Sequence, residues 1–131
     1  MATKSTDLKF TEVKKQAKTM DEKEKYELDN GSTITFYVTF KQTMIEGMFL
    51  DIQKSLQTID ESIEMSDNLM QKFVLFHTIR KFTHFSKDLK ATTFAGQLDE
   101  MNALIDYEVE GKSLFALIVD EIFLKEEMMK V

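Results

Sequence analysis

Two histidines, His77 and His84, are the side chains whose ordinary titration lies closest to neutral pH, and they stand seven residues apart. On a helix that spacing places them on one face, two turns and about 10 Å apart, too far to close on one metal ion as an i, i+4 pair does. They read as ordinary amphipathic histidines. The acidic pairs Asp60/Glu61, Asp99/Glu100, Asp120/Glu121 and Glu126/Glu127 offer carboxylates that general acid–base chemistry can use. Such pairs on helix surfaces usually form a solvated face, and no pattern marks a cleft that would shift them. With no cysteine there are no disulfides, thiolate nucleophiles or cysteine-ligated metals. Four glycines cannot build a glycine-rich phosphate loop, and neither a His-Glu-x-x-His pair nor a nucleophile elbow occurs. The expectation is no catalytic, cofactor-binding or metal site, and so no enzyme.

What the sequence has in excess is soft and aromatic apolar side chains, nine methionines and eleven phenylalanines. Methionine fills irregular gaps in a core, and most of these residues fall on apolar helical stripes, so core packing is the first reading. The functional alternative is an adaptable hydrophobic groove that accepts a partner's helix. The candidate interaction residues are Phe73, Phe76, Phe82 and Phe85 on a central helix and Met128 and Met129 at the chain end, with Leu8 and Phe10 as a further pair. Core is the stronger reading for the internal phenylalanines. For Met20, Met128 and Met129 both readings stand.

The elements that position these residues follow from hydrophobic spacing. Residues 1–24 are polar and lysine-rich, bury little, and are expected to form a flexible arm, with a short helix that docks on a partner as the less favoured alternative. Residues 25–131 are expected to form one domain, with a β-hairpin at 25–40 and a helical bundle at 41–131. From Ser32 to Phe40 the sequence alternates strictly, with Ile34, Phe36, Val38 and Phe40 on one face. A three-residue loop, Asp29-Asn30-Gly31 with Gly31 left-handed, sets Leu28 opposite Ser32 and Tyr26 opposite Ile34, gathering the apolar residues on one side. A two-residue Asn-Gly loop would mix the faces.

Helical spacing then runs from Thr43 to Ile59, with Gly47 inside it where another element is expected to cross closely. A second helix, capped by Ser66 or Asp67, runs to about Phe85 with apolar residues over a wide arc, and is expected to be central and most buried. Thr92 or Thr93 starts a third helix, ended before Gly111 acting as a terminator or turn residue. Ser113 caps a fourth segment, Leu114 to Phe123, and Lys125 to Val131 continues it or forms a final turn. The fold class expected is mainly α within α+β: an N-terminal β-hairpin followed by a compact bundle of about four helices.

At 131 residues and a net charge of −6, the composition is that of one globular domain. Residues 1–25 carry seven lysines against five acids, so the negative charge belongs to the rest of the chain. An acidic body repels phosphate backbones, and no nucleic-acid partner is expected. The first residues have no apolar signal region, and the longest apolar run, Leu114 to Val119, is too short to cross a bilayer; a soluble protein without membrane association is expected.

Taken in order, the hairpin Asp29-Asn30-Gly31-Ser32-Thr33-Ile34-Thr35-Phe36-Tyr37-Val38-Thr39-Phe40, the segment Phe76-His77-Thr78-Ile79-Arg80-Lys81-Phe82-Thr83 and the segment Leu98-Asp99-Glu100-Met101-Asn102-Ala103-Leu104-Ile105-Asp106 resemble the tail assembly chaperones of long-tailed bacteriophages and prophages of Gram-positive bacteria. The similarity spans about residues 26–131 and rests on pattern and order, not on an invariant motif. It implies a mainly helical protein that binds the tape measure protein, recruits tail tube protein during tail morphogenesis, works in the bacterial cytoplasm and is absent from the mature virion. It also implies a possible longer product made by translational frameshift, with which the apolar end Met128-Met129-Lys130-Val131 is compatible. A homo-oligomer stays open. The alternatives are a structural head–tail connector or tail completion protein, and a small host-directed phage adaptor.

Overall fold

In chain order, the computed structural model, which describes residues 6–131, consists of α1 (Phe10–Thr19), β1 (Lys23–Glu27), β2 (Thr33–Tyr37), α2 (Gln42–Leu56), α3 (Asp67–Phe82), a 3-10 turn (His84–Lys87), α4 (Phe94–Asp106), β3 (Glu108–Val109), β4 (Lys112–Ser113), α5 (Leu114–Leu117), a π-helical turn (Ile118–Ile122) and α6 (Lys125–Met128). The α+β class fits, but the expected architecture is corrected in two respects. The hairpin is not N-terminal, because α1 precedes it. In place of a bundle of about four helices there are six helices among the described residues, together with two separate two-stranded sheets. The physical reason is length: elements of two to five residues are too short to show a period, and α1 buries nothing that would mark it as part of a core. Residues 1–5 of the expected polar arm lie outside the described residues; residues 10–19 of it form α1.

The β1–β2 hairpin takes the register that collects its apolar side chains on one face. Tyr26 pairs with Ile34, and the Leu28 N–H donates to the Ser32 carbonyl at 2.8 Å. Gly31, at φ +86°, supplies the left-handed residue of the three-residue loop, and Asn30 Oδ1 accepts from the Ser32 N–H at 2.9 Å. Leu28, Ile34 and Phe36 are buried, as is Phe40 just beyond the strand. A second, smaller hairpin joins β3 to β4 through Glu110 and Gly111, at φ +55° and +73°. Two successive positive φ angles define the tight turn that matches strand twist, so Gly111 is a hairpin residue.

Three of the later helices, α3, α4 and α5, start where a hydroxyl satisfies an orphan N–H, whereas α2 and α6 have no side-chain cap. Ser66 Oγ accepts from Leu69, Thr93 Oγ1 from Gly96 and Ser113 Oγ from Ala116. At Phe82, three residues short of the expected end, α3 stops because Thr83 is extended and its hydroxyl caps the following 3-10 turn. Gly47 faces the end of the flexible Lys81 side chain, where an added Cβ would lie 3.4 Å from Nζ, so the approach there is by a side chain.

Apolar residues reach around much of α3, and Phe73, Phe76, Ile79 and Phe82 are wholly buried. Its C-terminal end stacks Phe82 on Phe40, with centroids 4.0 Å apart, and Phe123 meets Phe40 edge-on at 5.0 Å. Its N-terminal end sets Phe73 against Phe94 of α4 at 4.7 Å. At the C-terminus the Phe123 N–H reaches back to the Ile118 carbonyl, and this wide turn buries Ile118, Ile122 and Phe123 together. Glu127 of α6 then accepts from the Phe40 N–H at 2.8 Å and pairs with Lys130 at 2.7 Å, tying the chain end to the hairpin. Burial opposes its charge, but those two partners hold the Glu127 carboxyl below its usual range.

Replacing Phe73 by alanine removes a ring with no exposed surface, and is expected to cost about 3–5 kcal/mol of folding stability, measured by urea denaturation.

Candidate interaction groove

The hairpin face and α4 both lean on α3 and the 3-10 turn, but they diverge, and a groove opens between them. Its volume is about 510 Å³, within the range of ligand and side-chain sites. The floor is apolar: Leu28 and Ile34 from the hairpin, Phe85 and Leu89 from the segment after α3, Leu104 from α4 and Leu114 at the start of α5. Local chemistry positions each wall. The hairpin register turns Leu28 and Ile34 inward. The Thr35 N–H donates to His84 Nδ1 at 3.2 Å, and Phe36 bridges to Thr83, so the free edge of β2 is pinned to the 3-10 turn. The Leu114 N–H donates to the Tyr107 carbonyl at 2.8 Å and fixes the other end.

The rim is polar and acidic. Glu100 Oε2 accepts from the Ala91 N–H at 3.4 Å, while its Oε1 is buried without a hydrogen-bond partner. Asp88 stands exposed on the same rim. Neither Asp88 nor Glu100 forms an ion pair among the described residues. A second acidic group lies nearby, where the Tyr26 hydroxyl donates to Glu110 Oε2 at 3.4 Å. Partial loss of hydration, reinforced by Asp29, raises the Glu110 carboxyl above its usual range. Lys112 pairs with Glu121 beside them.

The residues singled out from sequence are distributed as follows. Phe73, Phe76 and Phe82 have no exposed surface and offer a partner nothing in this conformation. Phe85 is half-buried and lines the groove. Met128 packs partly against the core, whereas Met129 is 86% exposed. Leu8 and Phe10 are exposed. Of the acidic pairs, only Glu100 reaches the groove. Leu28, Leu89, Leu104 and Leu114 were not candidates; they come from separate segments, and no local spacing could have joined them. Among the described residues no group of three or more histidines, cysteines or carboxylates could hold a metal, and no helix is long and apolar enough to cross a membrane.

The two histidines serve different ends. His84 holds the hairpin edge through Nδ1. His77 is buried on α3, edge-on to Phe73 at 4.7 Å, with Nε2 2.9 Å from Gln97 Oε1. Gln97 Nε2 donates to the Ala91 carbonyl, so its oxygen is the acceptor and His77 Nε2 carries the proton. Arg80 donates to the same carbonyl, which fastens the loop ahead of α4. Burial lowers the His77 pKa to about 4; the Arg80 charge adds to this, while Gln97 and Asp51 oppose it.

Because the unfolded chain protonates this imidazole near pH 6.5 and the folded chain only near 4, acid favours unfolding between those values. The neutral ring's contribution is complete above pH 6.5 and is lost as pH falls towards 4, to the extent of about 3 kcal/mol. His77→Gln is expected to be less stable at pH 7 yet to lose correspondingly less between pH 7 and pH 4, as read from urea midpoints at each pH.

A protein-family model described as YomO matches residues 10–131. No curated protein and no solved structure matches the chain.

Proposed function

This chain belongs to the YomO family, whose name is of phage and prophage type, and on that premise we propose that it is a phage tail assembly chaperone, binding the tape measure protein and recruiting tail tube protein during tail morphogenesis. The observation that carries this is the open groove, with its floor of Leu28, Ile34, Phe85, Leu89 and Leu104 and its carboxylate rim. A long helical scaffold protein exposes apolar faces that aggregate unless covered. Side chains from such a face enter the groove and leave water, a transfer worth about 25 cal/mol for each Å² of apolar surface removed. The rim carboxylates select segments that carry lysine or arginine beside the apolar residues, and they keep the complex hydrated. No covalent chemistry is required for this role. The work is differential burial.

The test is a pull-down with the full chain as bait against tape measure fragments and tail tube protein from the same genome. Both are expected to be retained, and retention is expected to fall about tenfold or more for Ala103→Arg, which places a bulky cation on the exposed groove wall without touching the core. Failure to retain either protein overturns the proposal. So does finding the chain at stoichiometric level in purified particles by mass spectrometry, which instead marks a connector or completion protein.

A further inference from the structure

Among the described residues, α1 presents an uncovered apolar face, and an apolar groove opens beside the hairpin. We propose that they belong together: α1 of one copy docks in the groove of a second copy of this chain. A client is not needed for this step, so it stands apart from the chaperone reading.

The face is on α1. Phe10, Val13 and Ala17 fall on one side of the helix, edged by Lys14 and Lys18. Phe10 is 69% exposed, Val13 41%, and α1 buries none of its residues. A ten-residue helix is marginal in water by itself, and exposed apolar residues do not help it. It needs a surface. The groove supplies the complement in both shape and charge: an apolar floor for Phe10 and Val13, with Asp88 and Glu100 on the rim for Lys14 and Lys18. Asp88, exposed on the rim and in no ion pair among the described residues, gains a partner from a lysine ammonium.

The connection from α1 to β1 argues for a second copy. The Asp21 N–H donates to Lys18, the Glu22 N–H to Thr19, and the Val38 N–H to the Glu22 carbonyl. Asp21 also pairs with Lys41 at 2.6 Å. These bonds fix the direction in which α1 leaves the hairpin, at the end remote from the Asp29–Gly31 loop beside the groove. Folding α1 back onto its own groove would break them, whereas docking in a neighbour keeps them. Reciprocal docking gives a closed pair, and one-way docking gives an open chain. A client that enters the same groove has to displace α1.

The absence of native cysteine makes the test clean. Val13→Cys and Ala103→Cys chains are prepared separately, mixed and mildly oxidised. A mixed disulfide pair is expected, exceeding either same-variant disulfide about tenfold, and it is expected to disappear when Phe10→Asp is added to the Val13→Cys chain. In sedimentation, the unmodified chain is expected to self-associate with an affinity that falls about tenfold or more on Phe10→Asp or Glu100→Lys, and that weakens as salt is raised. The unfolding midpoint of Phe10→Asp should stay unchanged at concentrations where the chain is monomeric, since α1 buries nothing. A chain that stays monomeric at every concentration and yields no mixed disulfide overturns the proposal. A Val13→Cys/Ala103→Cys double variant that closes its disulfide at monomer mass also overturns it, by placing α1 in its own groove.

Discussion

The burial of α3 is the constraint from which the rest of the structure follows. Phe73, Phe76, Ile79 and Phe82 leave no face of its inner turns that can meet water cheaply, and each neighbouring element covers part of it. Phe94 brings α4 to one end, and the Phe40–Phe82 stack brings the hairpin to the other. Phe40 is also where the chain end is secured, because its ring meets Phe123 and its N–H meets Glu127. One aromatic contact thus joins the hairpin, the central helix and the C-terminal turns. Polar groups drawn into this region are paired. Thr78 and Thr83 return their hydroxyls to carbonyls one turn back, and His77 is held neutral against Gln97.

The groove is a consequence of that arrangement. The hairpin and α4 are each fixed to α3 or to the 3-10 turn that follows it, and the hairpin also meets the segment after α4, where Asn30 contacts Tyr107 and Tyr26 contacts Glu110. Beside these attachments their apolar faces diverge, and leucines and an isoleucine, each largely buried, line the groove that remains. A fold that needed only stability would close this gap with larger side chains. The groove that remains is the feature on which both proposals rest.

Charge is divided in the same sense. The lysines are concentrated at and before α1, and the acids dominate the body that bears the groove. Under the proposed docking, opposite signs on two parts of one chain would steer encounters between copies and favour partners whose apolar faces carry basic residues.

The sequence by itself determined those features whose cause is local. Strict alternation fixed the β2 face, and Asp29-Asn30-Gly31 fixed a loop whose left-handed glycine leaves one register that gathers the apolar residues. Ser66 or Asp67, Thr92 or Thr93, and Ser113 marked the helix starts, because a polar side chain ahead of an apolar periodic run has a defined N–H to satisfy; Ser66, Thr93 and Ser113 are the ones that do so. The wide apolar arc of residues 69–82 announced a surrounded helix. Only the tertiary structure decided which phenylalanines are core and which line a surface: Phe82 and Phe85 look alike in sequence, but Thr83 ends the helix between them and turns one inward and the other into the groove. Only it could bring Leu28, Leu89, Leu104 and Leu114 together, since burial depends on what lies opposite and their partners are distant in the chain. The β3 and β4 strands were hidden for a related reason, and the helix ahead of the hairpin stood only as the less favoured reading of the polar arm. Two-residue strands have no period to detect, and a helix that buries nothing leaves no mark of a core in its spacing.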